Sequence, residues 1–301
     1  MNNTKKDGLE SSAGYIGQRN SYVQVNGQRI AYREAGAGAS EIPLVMLTHL
    51  AATLDEWDPL LIDLLATNNH VVLLDLPGVG ASSGAVPDTI EGMAIQAIDI
   101  IHALGYSSIN LLGLSMGGMI AQEIVRADPT LVHRLILAGT APRGGEGAEA
   151  VTRVTFGFML CAALTRNDPK RYIFYGHDAR GSREAKKVLG RMAQRRPENK
   201  DHAMTVPSFL RQLRAIHRWG KAPLDNMAHI NQPTLIVNGD NDRQVPTANS
   251  PIMHSHIPGS RLVIYPNAGH GSIFQYAEEF AAELGRFLDG SPENPGSRSD
   301  A

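Results

Sequence analysis

Short, continuously apolar runs recur along the chain at residues 43–47, 71–75, 109–112, 135–138, 234–237 and 262–265. Runs of this length without polar alternation fit strands covered on both faces, as in a parallel sheet. Between them, residues 54–65, 89–104, 116–128 and 273–288 repeat apolar positions at helical spacing. Strand and helix therefore alternate, which predicts an α/β fold with helices on both faces of a mostly parallel sheet. Ahead of the alternation, Tyr22–Val25 and Arg29–Tyr32 are two β-prone runs joined by Asn26-Gly27. That dipeptide supplies the two positive φ angles of a tight hairpin turn, so the fold opens on an antiparallel pair.

One interval breaks the pattern. From Thr140 to Asn231 no strand is predicted, and helical patches such as 184–194 and 208–219 dominate. The division that follows is an α/β domain at 16–140 and 226–290 and a helical insertion at 141–225. Residues 1–15 and 291–301 are polar and are expected to be flexible tails.

Charge reinforces the division. The whole chain carries 28 Lys and Arg against 30 Asp and Glu, a net of −2. Residues 151–221 alone hold 16 basic and 5 acidic side chains, or +11, which leaves −13 elsewhere. Near-neutrality thus hides a basic insertion on an acidic body. The balance gives no overall basic field for a nucleic acid. No run reaches the ~18 apolar residues of a membrane span, and the first ten residues have no apolar signal core. Neither nucleic acid nor membrane is expected as a partner. With one cysteine, Cys161, no internal disulfide can form, which fits a reducing, cytoplasmic setting. Cys161 is expected to be a small buried hydrophobe.

The chemistry gathers at the ends of the predicted strands. Gly113-Leu-Ser-Met-Gly117 lies between a strand and a helix. A turn tight enough to lift the Ser115 hydroxyl above a sheet strains its backbone, and glycines at 113 and 117 relieve the crowding around it. A serine hydroxyl needs a base to take its proton and a carboxylate to orient that base. The last two strands run into Asn238-Gly-Asp-Asn-Asp242 and Pro266-Asn-Ala-Gly-His270. Asp242 is expected to be the acid, with Asp240 closing the turn, and His270 to be the base. An oxyanion would need two N–H donors, expected at Met116 and, in the loop Thr48-His-Leu-Ala-Ala52, at Ala51. His49 is expected to fix that loop through its ring. Asp75-Leu-Pro-Gly-Val-Gly-Ala-Ser82 lacks the spacing of a phosphate loop and reads as a structural turn.

Together these motifs resemble the α/β-hydrolase superfamily, in its branch of esterases, C–C hydrolases and cofactor-free perhydrolases, over residues 20–290. The resemblance implies an eight-stranded sheet with a helical cap after the sixth strand. It implies Ser115, Asp242 and His270 as a catalytic triad, with Met116 and Ala51 as oxyanion donors and no metal or organic cofactor. The His-Gly usual in this family is here His49-Leu50, and perhydrolases often carry Trp where Ala51 stands. The expected substrate is a small or medium carboxylic ester or lactone. C–C cleavage, perhydrolysis and a non-catalytic ligand receptor remain as alternatives, and both monomer and homodimer are open.

Overall fold

The structure, a computed structural model, describes residues 14–291. The chain opens on a single helical turn, α1 (Gly14–Gly17), and a hairpin of β1 (Ser21–Val25) and β2 (Gln28–Ala35). Asn26 and Gly27 take φ of 50° and 76°, as a two-residue hairpin turn requires. There follow β3 (Leu44–Leu47), α2 (Pro59–Ala66), β4 (Val71–Leu74), α3 (Ile90–Ala103), β5 (Ile109–Leu114), α4 (Met116–Ala127) and β6 (Val132–Ala138). Then come α5 (Val151–Thr165), α6 (Lys170–Phe174), α7 (Ala179–Met192) and α8 (Val206–Lys221), with no strand among the described residues between β6 and β7 (Thr234–Gly239). The chain closes with α9 (Asn249–His256), β8 (Arg261–Tyr265), α10 (Ser272–Gln275) and α11 (Ala277–Leu288).

The eight strands form one sheet in the order β1-β2-β4-β3-β5-β6-β7-β8. The β1–β2 and β2–β4 pairs are antiparallel and the rest are parallel. Every residue of β3, β4, β5 and β7 is buried, which is why these strands read as unbroken apolar runs. Two apolar cores result, one on each face. One gathers α3 and α4 through Ile100, Ile120 and Ile124; the other gathers α2 and α11 through Leu61, Phe280 and Leu284.

Some expectations are corrected by particular residues. The helix expected at 54–65 divides into a 3-10 turn at Leu54–Glu56, capped by Thr53, and α2, capped by Asp58. Pro59 drives Asp58 out of the helical region and so separates the two. The tail expected at 1–15 ends sooner. Tyr15 is buried, its N–H donates to Asp63 Oδ1 at 2.7 Å, and its hydroxyl donates to the Leu54 carbonyl. The remaining tail residues, 1–13 and 292–301, lie outside the described ones. Cys161 is exposed rather than buried, because it projects near the outer face of α5. The continuous helical stretch Ala148–Thr165, with mean hydropathy 1.3, is long and apolar enough by length and composition to cross a membrane, contrary to the expectation of no such run.

Candidate active site

Ser115 sits between β5 and α4 with φ 57° and ψ −117°, a conformation that costs a non-glycine residue on the order of 1–3 kcal/mol. Its backbone is held on both sides. The Ser115 N–H donates to the Ala138 carbonyl at 2.8 Å, and the Ser115 carbonyl accepts from Thr140 Oγ1 at 2.8 Å and Gly118 N–H at 2.9 Å. The flanking glycines are set by close backbone approach. A Cβ at Gly113 would stand 2.3 Å from the Gly117 carbonyl oxygen, and one at Gly117 would stand 2.2 Å from that of Leu47.

Past β7 and β8, two loops bring Asp242 and His270 together. His270 Nδ1 lies 2.7 Å from Asp242 Oδ2, and both side chains are buried. The second oxygen, Asp242 Oδ1, accepts the N–H groups of Gln244 and Val245, each at 2.9 Å. A carboxylate with this many donors is fixed in orientation. Asp240 does something different. Its oxygens accept the N–H groups of Asn267 and Ala268, at 2.9 and 3.2 Å, and so tie the loop after β8 to the loop after β7.

Ser115 and His270 line one cavity of about 480 Å³, within the range of roughly 300–1,000 Å³ usual for small-molecule sites. Its walls come from the loop after β3 and from helices α4, α5, α6 and α8, and are largely apolar, with Met119, Val151, Met159, Ile173, Phe209 and Ile216 among them. At the rim, Lys170 Nζ is paired with Glu56 at 2.7 Å and Asp168 at 3.5 Å.

His49 also faces the cavity. Burial lowers its pKa to about 3, so the ring is neutral, and Nδ1 lies 2.9 Å from the Leu50 carbonyl. The ring is thus engaged with its own loop. Ala51, expected as an oxyanion donor, is corrected by its surroundings. It adopts φ 62°, and its N–H donates to Gln212 Oε1, 2.9 Å away on α8. Gln212 is itself buried. The N–H of Leu50 finds no acceptor among the described residues, nor does that of Met116, the first residue of α4.

Three positions escaped the sequence reading. Gln212 reaches Ala51 across 161 residues, and no motif marks it. Gln244 Nε2 donates to Thr155 Oγ1 at 2.7 Å, joining the Asp242 loop to α5. Phe174 stacks on His270, with rings 5.5 Å apart and 3° from parallel, and meets His49 edge-on at 4.8 Å. Its carbonyl also accepts the Gly271 N–H at 2.9 Å. Residues 151–221 hold seven of the chain's seventeen aromatics, Phe174 among them, which is the one trace of it in the sequence. Most of that set packs elsewhere: Trp219 lies in the core and Phe156 on the surface.

A family model described as alpha/beta hydrolase fold matches residues 42–276. A poly(3-hydroxyalkanoate) depolymerase from Ectopseudomonas oleovorans is 30% identical over 253 residues, covering 82% of this chain and 84% of that one. A 2-hydroxy-6-oxononadienedioate/2-hydroxy-6-oxononatrienedioate hydrolase from Pseudomonas putida is 30% identical over 267 residues, covering 84% and 88%. Among solved structures, an alpha/beta hydrolase fold protein from Chitinophaga pinensis superimposes with a TM-score of 0.86 at 33% identity, covering 92% of this chain and 99% of that one.

Proposed function

The chain belongs to the alpha/beta hydrolase fold family, and from that premise we propose that it is a serine hydrolase cleaving an apolar carboxylic ester or lactone through an acyl-enzyme. The observation that carries the proposal is the buried His270–Asp242 pair opening, with Ser115, into one apolar cavity. With Nδ1 committed to Asp242, Nε2 is the nitrogen left to take the Ser115 proton. Ser115 Oγ attacks the ester carbonyl, and His270 then passes the proton to the leaving alcohol. A water, deprotonated by His270, releases the acid and restores the serine. Met116 N–H donates to the developing oxyanion. Leu50 N–H is the second donor, because Ala51 N–H is already held by Gln212.

The cavity wall favours an uncharged acyl or aryl group. The Pseudomonas putida relative is named for a dicarboxylate. Among the described residues lining this cavity, Lys170 is the one Lys or Arg, and two carboxylates already hold it. A dianionic C–C substrate would therefore lack a free cationic partner, and the ester reading is preferred. The Ectopseudomonas oleovorans relative, named as a depolymerase of a polyester, is consistent with that preference.

The test is a p-nitrophenyl ester panel of increasing chain length, run beside labelling with an organophosphonate. Labelling is expected at Ser115, turnover is expected to peak at medium chain length, and Ser115→Ala is expected to lower kcat about a thousandfold or more. Absence of label on Ser115 would sink the hydrolase reading in favour of a ligand receptor.

A further inference from the structure

Where α5 forms the wall of the catalytic cavity, it is apolar except at one position. Val151 and Met159 line the cavity one turn to either side of Thr155, and Val245 belongs to the same lining. Thr155 lines it too and is 4% exposed. A buried hydroxyl has both a lone pair and a hydrogen to place. The lone pair is engaged, because Gln244 Nε2 donates to Thr155 Oγ1 at 2.7 Å. The hydrogen is not. Thr165, on the same helix, gives its hydrogen to the Cys161 carbonyl one turn back at 2.7 Å, whereas Thr155 finds no acceptor among the described residues.

The neighbouring amide does not remove the surplus. Gln244 is buried, lines the cavity as well, and its Oε1 has no donor among the described residues. Amide and hydroxyl together carry three hydrogens and the bond between them uses one, so donors remain over whichever way the amide is turned. The pair is anchored from the other side, since the Gln244 N–H donates to Asp242 Oδ1 at 2.9 Å, on the carboxylate that meets His270. A bare buried donor is costly, and a ligand that brings an acceptor relieves it. A carboxylate does not fit, because charge buried against Val151, Met159 and Val245 needs a partner. Lys170, the one Lys or Arg among the described lining residues, is held by Glu56 and Asp168. The acceptor that fits is a neutral oxygen.

We propose that Thr155 determines specificity by donating to a second, neutral oxygen on the acyl chain, so that the preferred substrate is an ester of a hydroxy or oxo acid rather than of a plain fatty acid. A hydroxyl can also donate to Gln244 Oε1, and a keto oxygen cannot. That the chain in this cavity is an acyl chain rests on the hydrolase reading; the unspent donors are there whatever reaction Ser115 performs.

The experiment measures kcat/KM for ethyl hexanoate and for its hydroxy and oxo derivatives, with the oxygen moved carbon by carbon along the acyl chain, in the wild type, Thr155→Val and Thr155→Ser. The readout is the ratio of each derivative to the plain ester, in which intrinsic ester reactivity cancels between proteins. At one or more chain positions the wild-type ratio is expected to exceed that of Thr155→Val by about threefold to tenfold, and Thr155→Ser is expected to keep it. If Thr155 only steadies the Asp242 loop, Thr155→Val lowers all esters alike and leaves the ratios unchanged, which would overturn the proposal. A preference that Thr155→Ser loses as fully as Thr155→Val would overturn it too. The same esters are bound to Ser115→Ala, with and without Thr155→Val, and read by isothermal titration calorimetry. A binding preference for an oxygenated ester that Thr155→Val abolishes, with no ester turned over by the wild type, would uphold the subsite and overturn the hydrolase reading. Turnover with ratios that Thr155→Val leaves unchanged would do the reverse.

Discussion

At the scale of single residues, the site is organised by how each polar group is already engaged. His49 and His270 both face the cavity, but burial keeps the His49 ring neutral with a pKa near 3, and its Nδ1 contacts its own loop. His270 alone of the two has a carboxylate fixed by backbone donors on its ring. Gln212 braces the loop after β3, because its Oε1 accepts the N–H of Ala51, which lies in the left-handed region. Replacing it with Leu leaves the Ala51 N–H without a partner, at a cost of about 1–3 kcal/mol. Gln212→Leu is therefore expected to lower kcat about tenfold with little change in KM. Gln212→Glu, which keeps an acceptor oxygen, should retain more activity; steady-state kinetics on one ester decides this. If Gln212→Leu leaves kcat unchanged, the loop does not depend on Gln212. Ser115, Asp242 and His270 were legible because each follows a run that announces its strand. Gln212 and Phe174 were not, because they act on loops more than ninety residues away in sequence.

At the scale of elements, the β5–α4 turn is possible because β3 presses against its first helical turn. The 2.2 Å approach of a Gly117 Cβ to the Leu47 carbonyl is to backbone, which has no rotamer to yield. Gly117→Ala is expected to destabilise the fold by about 3 kcal/mol or more, since the strand or helix must shift. A thermal melt by circular dichroism reads this, and an unchanged midpoint would contradict the packing described. Glycine at 117 was readable from the motif, but the carbonyl it accommodates was not. The α5 helix teaches the same lesson from the other side. Its apolar residues make a helix of that composition evident, while which side faces water is set by neighbours far away in sequence.

At the scale of the whole molecule, the opposed charges meet at a seam. Lys170–Glu56, Arg191–Asp58, Arg195–Asp55 and Arg218–Asp88 join the basic helices to the acidic body. One buried carboxyl in this seam is anomalous. Burial first, and then the facing carboxyl of Asp201, hold Asp75 well above its ordinary value of 3.8, with Arg33 and Asp55 nearby. Arg195 and Tyr15 complete the cluster. Two guanidinium groups against three ionised carboxylates would leave one surplus negative charge, which a proton on Asp75, favoured by its raised pKa, removes. Because the folded pKa lies above the unfolded one, this contribution is full below pH 3.8 and is lost as pH rises through the folded value. Asp75→Asn, which cannot ionise, is expected to flatten the fall of Tm with rising pH; parallel curves for variant and wild type would refute the raised pKa of Asp75. The sequence by itself determined the alternation of strand and helix, the strandless basic insertion, and the placement of Ser115, Asp242 and His270 just past strand ends. Those follow from hydrophobic period and turn chemistry, which are local. Tertiary structure alone decided which N–H groups stay free at the loop after β3, which side of α5 meets water, and which charges cancel at the seam. Each depends on contacts between distant segments, and a local pattern carries no record of them.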